Sequence, residues 1–102
     1  MTAYMIAQVQ ILEPERWEHY RQLAAPAIAR YGGRYLARGA RPEVDEADWE
    51  QPEDLQVNIV EFPSLAQAHA WYASPEYAEA LAYRKGAVLR RLFFVRGTDE
   101  PE

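Results

Sequence analysis

The residue types that could do chemistry in this chain are few, and most are excluded by their neighbours. There is no cysteine, so thiol catalysis, disulfides and zinc fingers are absent. The two serines, Ser64 and Ser74, each stand just before a helical pattern. "SLAQ" and "SPEY" read as helix caps, which commits both hydroxyls to backbone amides and leaves no serine nucleophile. The two histidines, His19 and His69, share no metal-ligand spacing with each other or with an acid. "DEADWE" lacks the glycine that turns a calcium loop. "YGG" precedes a strand and not a helix, so it forms no phosphate cradle. No metal and no cofactor are expected.

What remains is a set of aromatics with one arginine and one histidine. Tyr20, Tyr31, Tyr35, Trp71, Tyr72 and Tyr77 either line a ligand cavity or fill the core, since a small domain needs large side chains. Arg38 sits inside a strand and is followed by Gly39, which opens space beside it. It either grips a ligand carboxylate with its planar fork or pairs with Glu61 or an acid of the loop. His69, as an imidazole, is the candidate for proton transfer, with solvation on a helix surface as the alternative. Trp49, large and apolar within a charged loop, reads either as a lid over a pocket mouth or as a contact with a second subunit.

The elements that must position these residues follow from periodicity. Residues 3–12 alternate as a strand, with Ala3, Met5, Ala7, Val9 and Ile11 on one face. "EPERW" opens a helix, with Pro14 at its first position and acids in its first turn. Its buried stripe is Trp17, Tyr20, Ala24, Ala27, Ile28 and Tyr31. Pro26 predicts a kink or a split near Ala25, and Gly32 and Gly33 end the helix through left-handed backbone. "GRYLARGA" is a second strand and "LQVNIVEF" a third, with an acidic loop between them. Ser64 caps a second helix, Gln67 completes a capping box, and Leu65, Ala68 and Tyr72 form the inner stripe. Ser74 and Pro75 then restart the chain as another helix in a new direction, with Tyr77 and Leu81 inward. "VLRRLFFVRG" is the last strand, with Leu92 and Phe94 on one face and Phe93 and Val95 on the other.

The order strand, helix, strand, strand, helix pair, strand is that of a ferredoxin-like βαββαβ fold. It predicts an α+β domain over residues 1–98, a four-stranded antiparallel sheet with helices on one face, and an acidic tail at 99–102. The uncovered face is assigned Ile6, Leu36, Val60 and Phe62, mixed with Gln8, Gln10, Arg34, Arg38 and Asn58. That much apolar area predicts a homodimer through the open sheet face.

The net charge of -5 is unevenly spread. The segment "RPEVDEADWEQPED" carries seven acids and one arginine, and the tail three more acids. The remainder has six acids against ten basic residues, so the acidity belongs to a loop and a tail. The basic residues are scattered and argue against nucleic acid. No apolar run reaches membrane length and the amino terminus shows no leader pattern, so a cytoplasmic location is expected.

Several motifs resemble one family. "RYGGRYLARG", the "DW.QP" of the loop, "VNIVEFPSLAQAHAWY" and "SPEYAEAL" look like the domain-of-unknown-function family 1330, from Ala3 to about Gly97. The resemblance implies the dimeric α+β barrel fold, in a superfamily that also holds cofactor-free monooxygenases, small isomerases and proteins of no proven activity. It implies a cavity between helices and sheet, and no particular reaction. Two functions follow: a dimer that binds a small organic ligand without catalysis, or a cofactor-free enzyme acting on a small organic acid or aromatic substrate.

Overall fold

The computed structural model describes residues 2–98; the acidic tail expected at 99–102 lies outside the described residues. The elements are β1 (Ala3–Ile11), α1 (Pro14–Arg30), β2 (Arg34–Ala40), β3 (Gln56–Phe62), α2 (Leu65–Tyr72), α3 (Pro75–Arg84) and β4 (Val88–Arg96). The four strands form one sheet in the order β2-β3-β1-β4, antiparallel throughout. This is the α+β, ferredoxin-like arrangement that the element order predicts. The helices cover one face, and the core lies between them and the sheet.

Alternation along β1 sets the two faces. Ala3, Met5, Ala7 and Val9 are buried against the helices. They pair across β3 with Phe62, Val60, Asn58 and Gln56. Directly opposed residues share a face, so Val60 and Phe62 belong to the core, where both are 0% exposed. The sequence reading placed them, with Asn58, on the open face. That reading was one residue out of phase, and a slip of one residue moves every side chain of a strand to the other side. The open face instead carries Val57, Ile59 and Glu61 from β3, opposite Gln8, Ile6 and Tyr4. From β4 it carries Phe93 and Val95, while Leu92 and Phe94 face the helices opposite Ala7 and Met5.

β2 is less regular. Arg34 pairs with Glu61 and Tyr35 with Val60, but the register then shifts twice before Ala40. Gly39 sits at this irregularity with φ +62, a backbone conformation that favours glycine. Its N–H donates to Asn58 Oδ1 at 2.6 Å. The shift turns Arg38 away from the open face and toward α1.

The helices differ from expectation in detail. α1 runs unbroken through Pro26, which is exposed and so gives up its hydrogen bond on the solvent side. Gly32 has the expected positive φ, but Gly33 does not. A side chain at Gly33 would lie 2.7 Å from Ile28 Cγ2 and 2.8 Å from Phe62 Cε1, so close approach, not handedness, requires glycine there. Ser64 accepts from Gln67 N at 3.1 Å. The Gln67 amide does not return the capping box; it donates to the Tyr31 carbonyl at 3.2 Å, tying α2 to the end of α1. The inner residues of α2 are Ala68 and Trp71, and Tyr72 is exposed.

The break between α2 and α3 is built on Ser74, which is 4% exposed. Its hydroxyl donates to the Trp71 carbonyl at 2.7 Å and accepts from Tyr77 N at 3.1 Å. One side chain thus closes the last turn of α2 and opens the first turn of α3. The change of direction lets Trp71 and Tyr77 pack together at a 4.3 Å ring separation.

Candidate functional site

A cavity of about 20 Å³ lies between α1 and the sheet. Its polar lining is Tyr20, Arg21, Tyr35, Arg38, Asn58 and Arg90, set among apolar residues of β1 and α1. A void of this size accommodates roughly one water-sized group. Larger hollows exist but are open to solvent: one beneath the 41–55 loop at Val44, Trp49 and Leu55, and one between α1 and α3 at Leu23, Pro26 and Pro75.

The wall of the small cavity holds the most connected polar group in the interior. Tyr20 Oη and Tyr77 Oη are 2.7 Å apart. Arg90 bridges them, its Nη1 donating to Tyr20 at 2.8 Å and its Nη2 to Tyr77 at 3.0 Å. Tyr20 is held by the stripe of α1, where it stacks on Trp17 at 4.6 Å. Tyr77 stands in the first turn of α3, fixed by the Ser74 cap. Arg90 comes from β4, opposite Val9 on the helix-facing side of the sheet. Arg38 completes the lining from β2, its guanidinium 4.6 Å from the centre of the Tyr35 ring.

The electrostatics follow from burial. Burial pushes the Tyr20 phenol well above its ordinary value, and the neighbouring Tyr77 adds to the effect against the opposing pull of Arg90. Tyr35 is also raised by burial, while Arg38 and Arg21 draw it down. Tyr20 is therefore a neutral hydrogen-bond donor throughout the physiological range. The folded state keeps this phenol neutral above pH ~10, where the unfolded chain ionises it, so stability is intact below about pH 10 and falls above it. We expect urea unfolding between pH 9 and 11.5 to show a steeper alkaline loss for the natural chain than for Tyr20→Phe. The difference approaches about 1.4 kcal/mol per pH unit above pH 10. Equal slopes would show that Tyr20 ionises freely in the fold.

Of the residues singled out from the sequence, Tyr20, Tyr35 and Arg38 line the cavity and Tyr77 is bonded to its wall. Arg38 does not pair with Glu61, because Arg34 holds that carboxylate at 2.7 Å. Trp71 is fully buried against Phe62 and Tyr77 and is core. Tyr72 is 43% exposed and packs on Phe94 and Trp71. Tyr31 donates to Glu76 at 3.1 Å and joins the end of α1 to the start of α3. His69 is exposed, tilted against Phe94 at 5.0 Å, and does not line the cavity. His19 is exposed and stacks on Tyr83. Among the described residues no cluster of His, Asp and Glu is placed to hold a metal ion. Arg90 was missed, although the alternation that joins Leu92 and Phe94 places a charge at position 90 on the same inward face.

Fold and cavity together define a ferredoxin-like α+β protein with a small, arginine-lined chamber between sheet and first helix. The model of the family described as Domain of unknown function (DUF1330) matches residues 2–98, and the chain belongs to that family. No curated protein sequence matches it. Among solved structures it is similar to RPA0582, a protein of unknown function from Rhodopseudomonas palustris, at 24% identity and a TM-score of 0.76, covering 97% of this chain and 84% of that one. It is also similar in fold to SnoaB, a cofactor-independent oxygenase from Streptomyces nogalater, at 14% identity and a TM-score of 0.68, covering 99% and 98%. Rv0793 from Mycobacterium tuberculosis aligns over the whole of both chains at 17% identity and a TM-score of 0.59. At these identities the likeness is one of fold.

Proposed function

We propose that the protein is a homodimer, joined through its open sheet face, that holds a small organic ligand between α1 and the sheet of each subunit. The observation that carries the ligand reading is the Tyr20–Tyr77–Arg90 group. Arg90 Nε is buried and has no partner among the described residues. An arginine turned inward with a donor unspent is costly to the fold and useful to a ligand. Binding is favoured over catalysis because no acid–base pair converges on the cavity: His69 lies outside it, and Tyr20 is fixed as a neutral phenol. The fold shared with a cofactor-independent oxygenase supports the second reading, a cofactor-free enzyme acting on a small organic acid or aromatic substrate.

The dimer rests on the open face, where Tyr4, Ile6, Val57, Ile59 and Phe93 form an apolar sheet surface that no helix covers and that the 41–55 loop borders at Gln8 and Val57. Charge favours a second copy on this face. A two-fold axis parallel to the strands sets β2 of one subunit opposite β4 of the other. The acidic 41–54 loop then meets the open face of a strand whose one charged side chain on that face is Arg91. Trp49, 69% exposed, rides on that loop.

Native mass spectrometry of freshly purified protein tests both parts. The expected spectrum is a dimer with a small-molecule mass that is lost on denaturation. A monomer at micromolar concentration would remove the dimer. A dimer that carries no added mass, and takes up none from a panel of small organic acids, would remove the ligand.

A further inference from the structure

Resting on that reading of the cavity, the proton count inside it identifies the class of ligand. The Tyr20–Tyr77 contact uses one of two phenolic protons. Arg90 donates to both oxygens, so it accepts neither proton. The second phenolic proton has no acceptor among the described residues. Tyr77 is 0% exposed and does not line the cavity, whereas Tyr20 does. If Tyr20 donated to Tyr77, the spare proton would be stranded in the core, with the penalty of a buried unmade bond. The favourable polarity is Tyr77 donating to Tyr20, with the Tyr20 proton free toward the cavity.

Every other polar neighbour points the same way. Arg90 Nε–H is buried and unpartnered. Arg38 lies on the Tyr35 ring with no carboxylate partner among the described residues. Arg21 is engaged only by Glu18, an exposed neighbour on the same helix, at 3.3 Å. Asn58 spends its oxygen on Gly39 N, which leaves its amide N–H groups as donors. No aspartate or glutamate lines the cavity. The chamber offers several donors, three of them arginines, and its side-chain acceptors are only the neutral oxygens of Tyr35 and Asn58.

We propose that this cavity is an oxyanion-binding site, and that its ligand is an organic acid or enolate whose oxygen seats between Tyr20 and Arg90. The void as it stands takes only that oxygen-sized group. The rest of the ligand leaves past Arg38, which is exposed and joins the cavity to the surface. A neutral ligand of the same shape gains less, because hydrogen bonds to a charged acceptor are roughly twice as strong.

The test compares benzoate with its neutral isostere benzamide, followed through the arginine Nε–H signals in nitrogen-edited NMR. The Arg90 signal is assigned by its loss in Arg90→Met. Benzoate should shift that signal and bind about tenfold or more tightly than benzamide. Arg90→Met should weaken benzoate by about tenfold or more. Tyr20→Phe should weaken it by more than Tyr77→Phe does, because only Tyr20 turns its proton into the cavity. This last comparison stands even where Arg90→Met fails to fold, and thermal melts establish that both tyrosine variants are folded. Benzamide binding as well as benzoate would overturn the oxyanion assignment while keeping a ligand site. Equal effects of the two tyrosine variants would overturn the assigned proton polarity and the seat at Tyr20. If neither probe nor any other small molecule binds, the ligand reading falls and takes the assignment with it.

Discussion

Replacing Trp71 with alanine is expected to cost about 3–5 kcal/mol of folding stability. That is a large share of the ~5–15 kcal/mol that holds a domain of this kind together. Trp71 is 0% exposed and lies at the junction of three elements. Its ring meets Phe62 of β3 at 5.7 Å and Tyr77 of α3 at 4.3 Å, and its carbonyl accepts from the Ser74 cap. Alanine leaves a cavity that the flanking strand and helix cannot fill, because both are pinned elsewhere. Trp71→Phe is expected to cost far less. It keeps most of the apolar volume and removes Nε1, which is buried without a partner. Urea denaturation of both variants measures this. A cost below about 1 kcal/mol for Trp71→Ala would show that the site collapses freely and that Trp71 is not the keystone of the helix break.

If the proposed dimer forms through the open face, Phe93→Glu is expected to convert it to a folded monomer. Phe93 is half-buried on the open face opposite Ile6, and its side chain projects away from the helices and the core. A carboxylate there has only the Arg91 guanidinium beside it, which lies 5.2 Å from the Phe93 ring centre, and both charges pay desolvation if a second sheet covers them. We expect the dimer dissociation constant to rise about a hundredfold or more, with unchanged far-ultraviolet circular dichroism. Sedimentation across a concentration series reads the first and a thermal melt checks the second. Full retention of the dimer would place the interface elsewhere on the surface. Trp49→Ala separates the two roles of the acidic loop. Weaker association with unchanged benzoate affinity makes the loop a subunit contact, and weaker ligand binding in an intact dimer makes it a lid.

The sequence resolved the elements better than it resolved their faces. Strand and helix periods, the caps at Ser64 and Ser74 and the first-turn prolines Pro14 and Pro75 of α1 and α3 gave the order of elements directly, because those signals are local. The phase of β3 was misread because "LQVNIVEF" is apolar on both sides of the alternation, with Val57 and Ile59 outward and Val60 and Phe62 inward. A strand that is apolar on both faces carries no internal mark of which face meets the helices. Only its pairing with Ala3 and Met5 decides. Arg38 was placed on the wrong face for a related reason. The register shifts in β2 depend on the Gly39–Asn58 contact across nineteen residues of chain.

The candidate site divides the same way. Tyr20 and Tyr77 were legible as inward residues of their helices, and Arg90 carried a readable sign, a charge in phase with Leu92 and Phe94. What no spacing shows is that the three converge, since Tyr20 and Arg90 stand seventy residues apart in sequence. By itself the sequence determined the ferredoxin-like order, the absence of thiol chemistry, the acidic loop and the aromatic core. The tertiary structure alone decided which tyrosines share a cavity and which serve packing, and that an arginine bonded to two tyrosines, not a histidine, stands at its wall. Local periodicity fixes where a side chain points on its own element. Which side chains meet depends on strand pairing and helix docking, which are set by contacts distant in the chain.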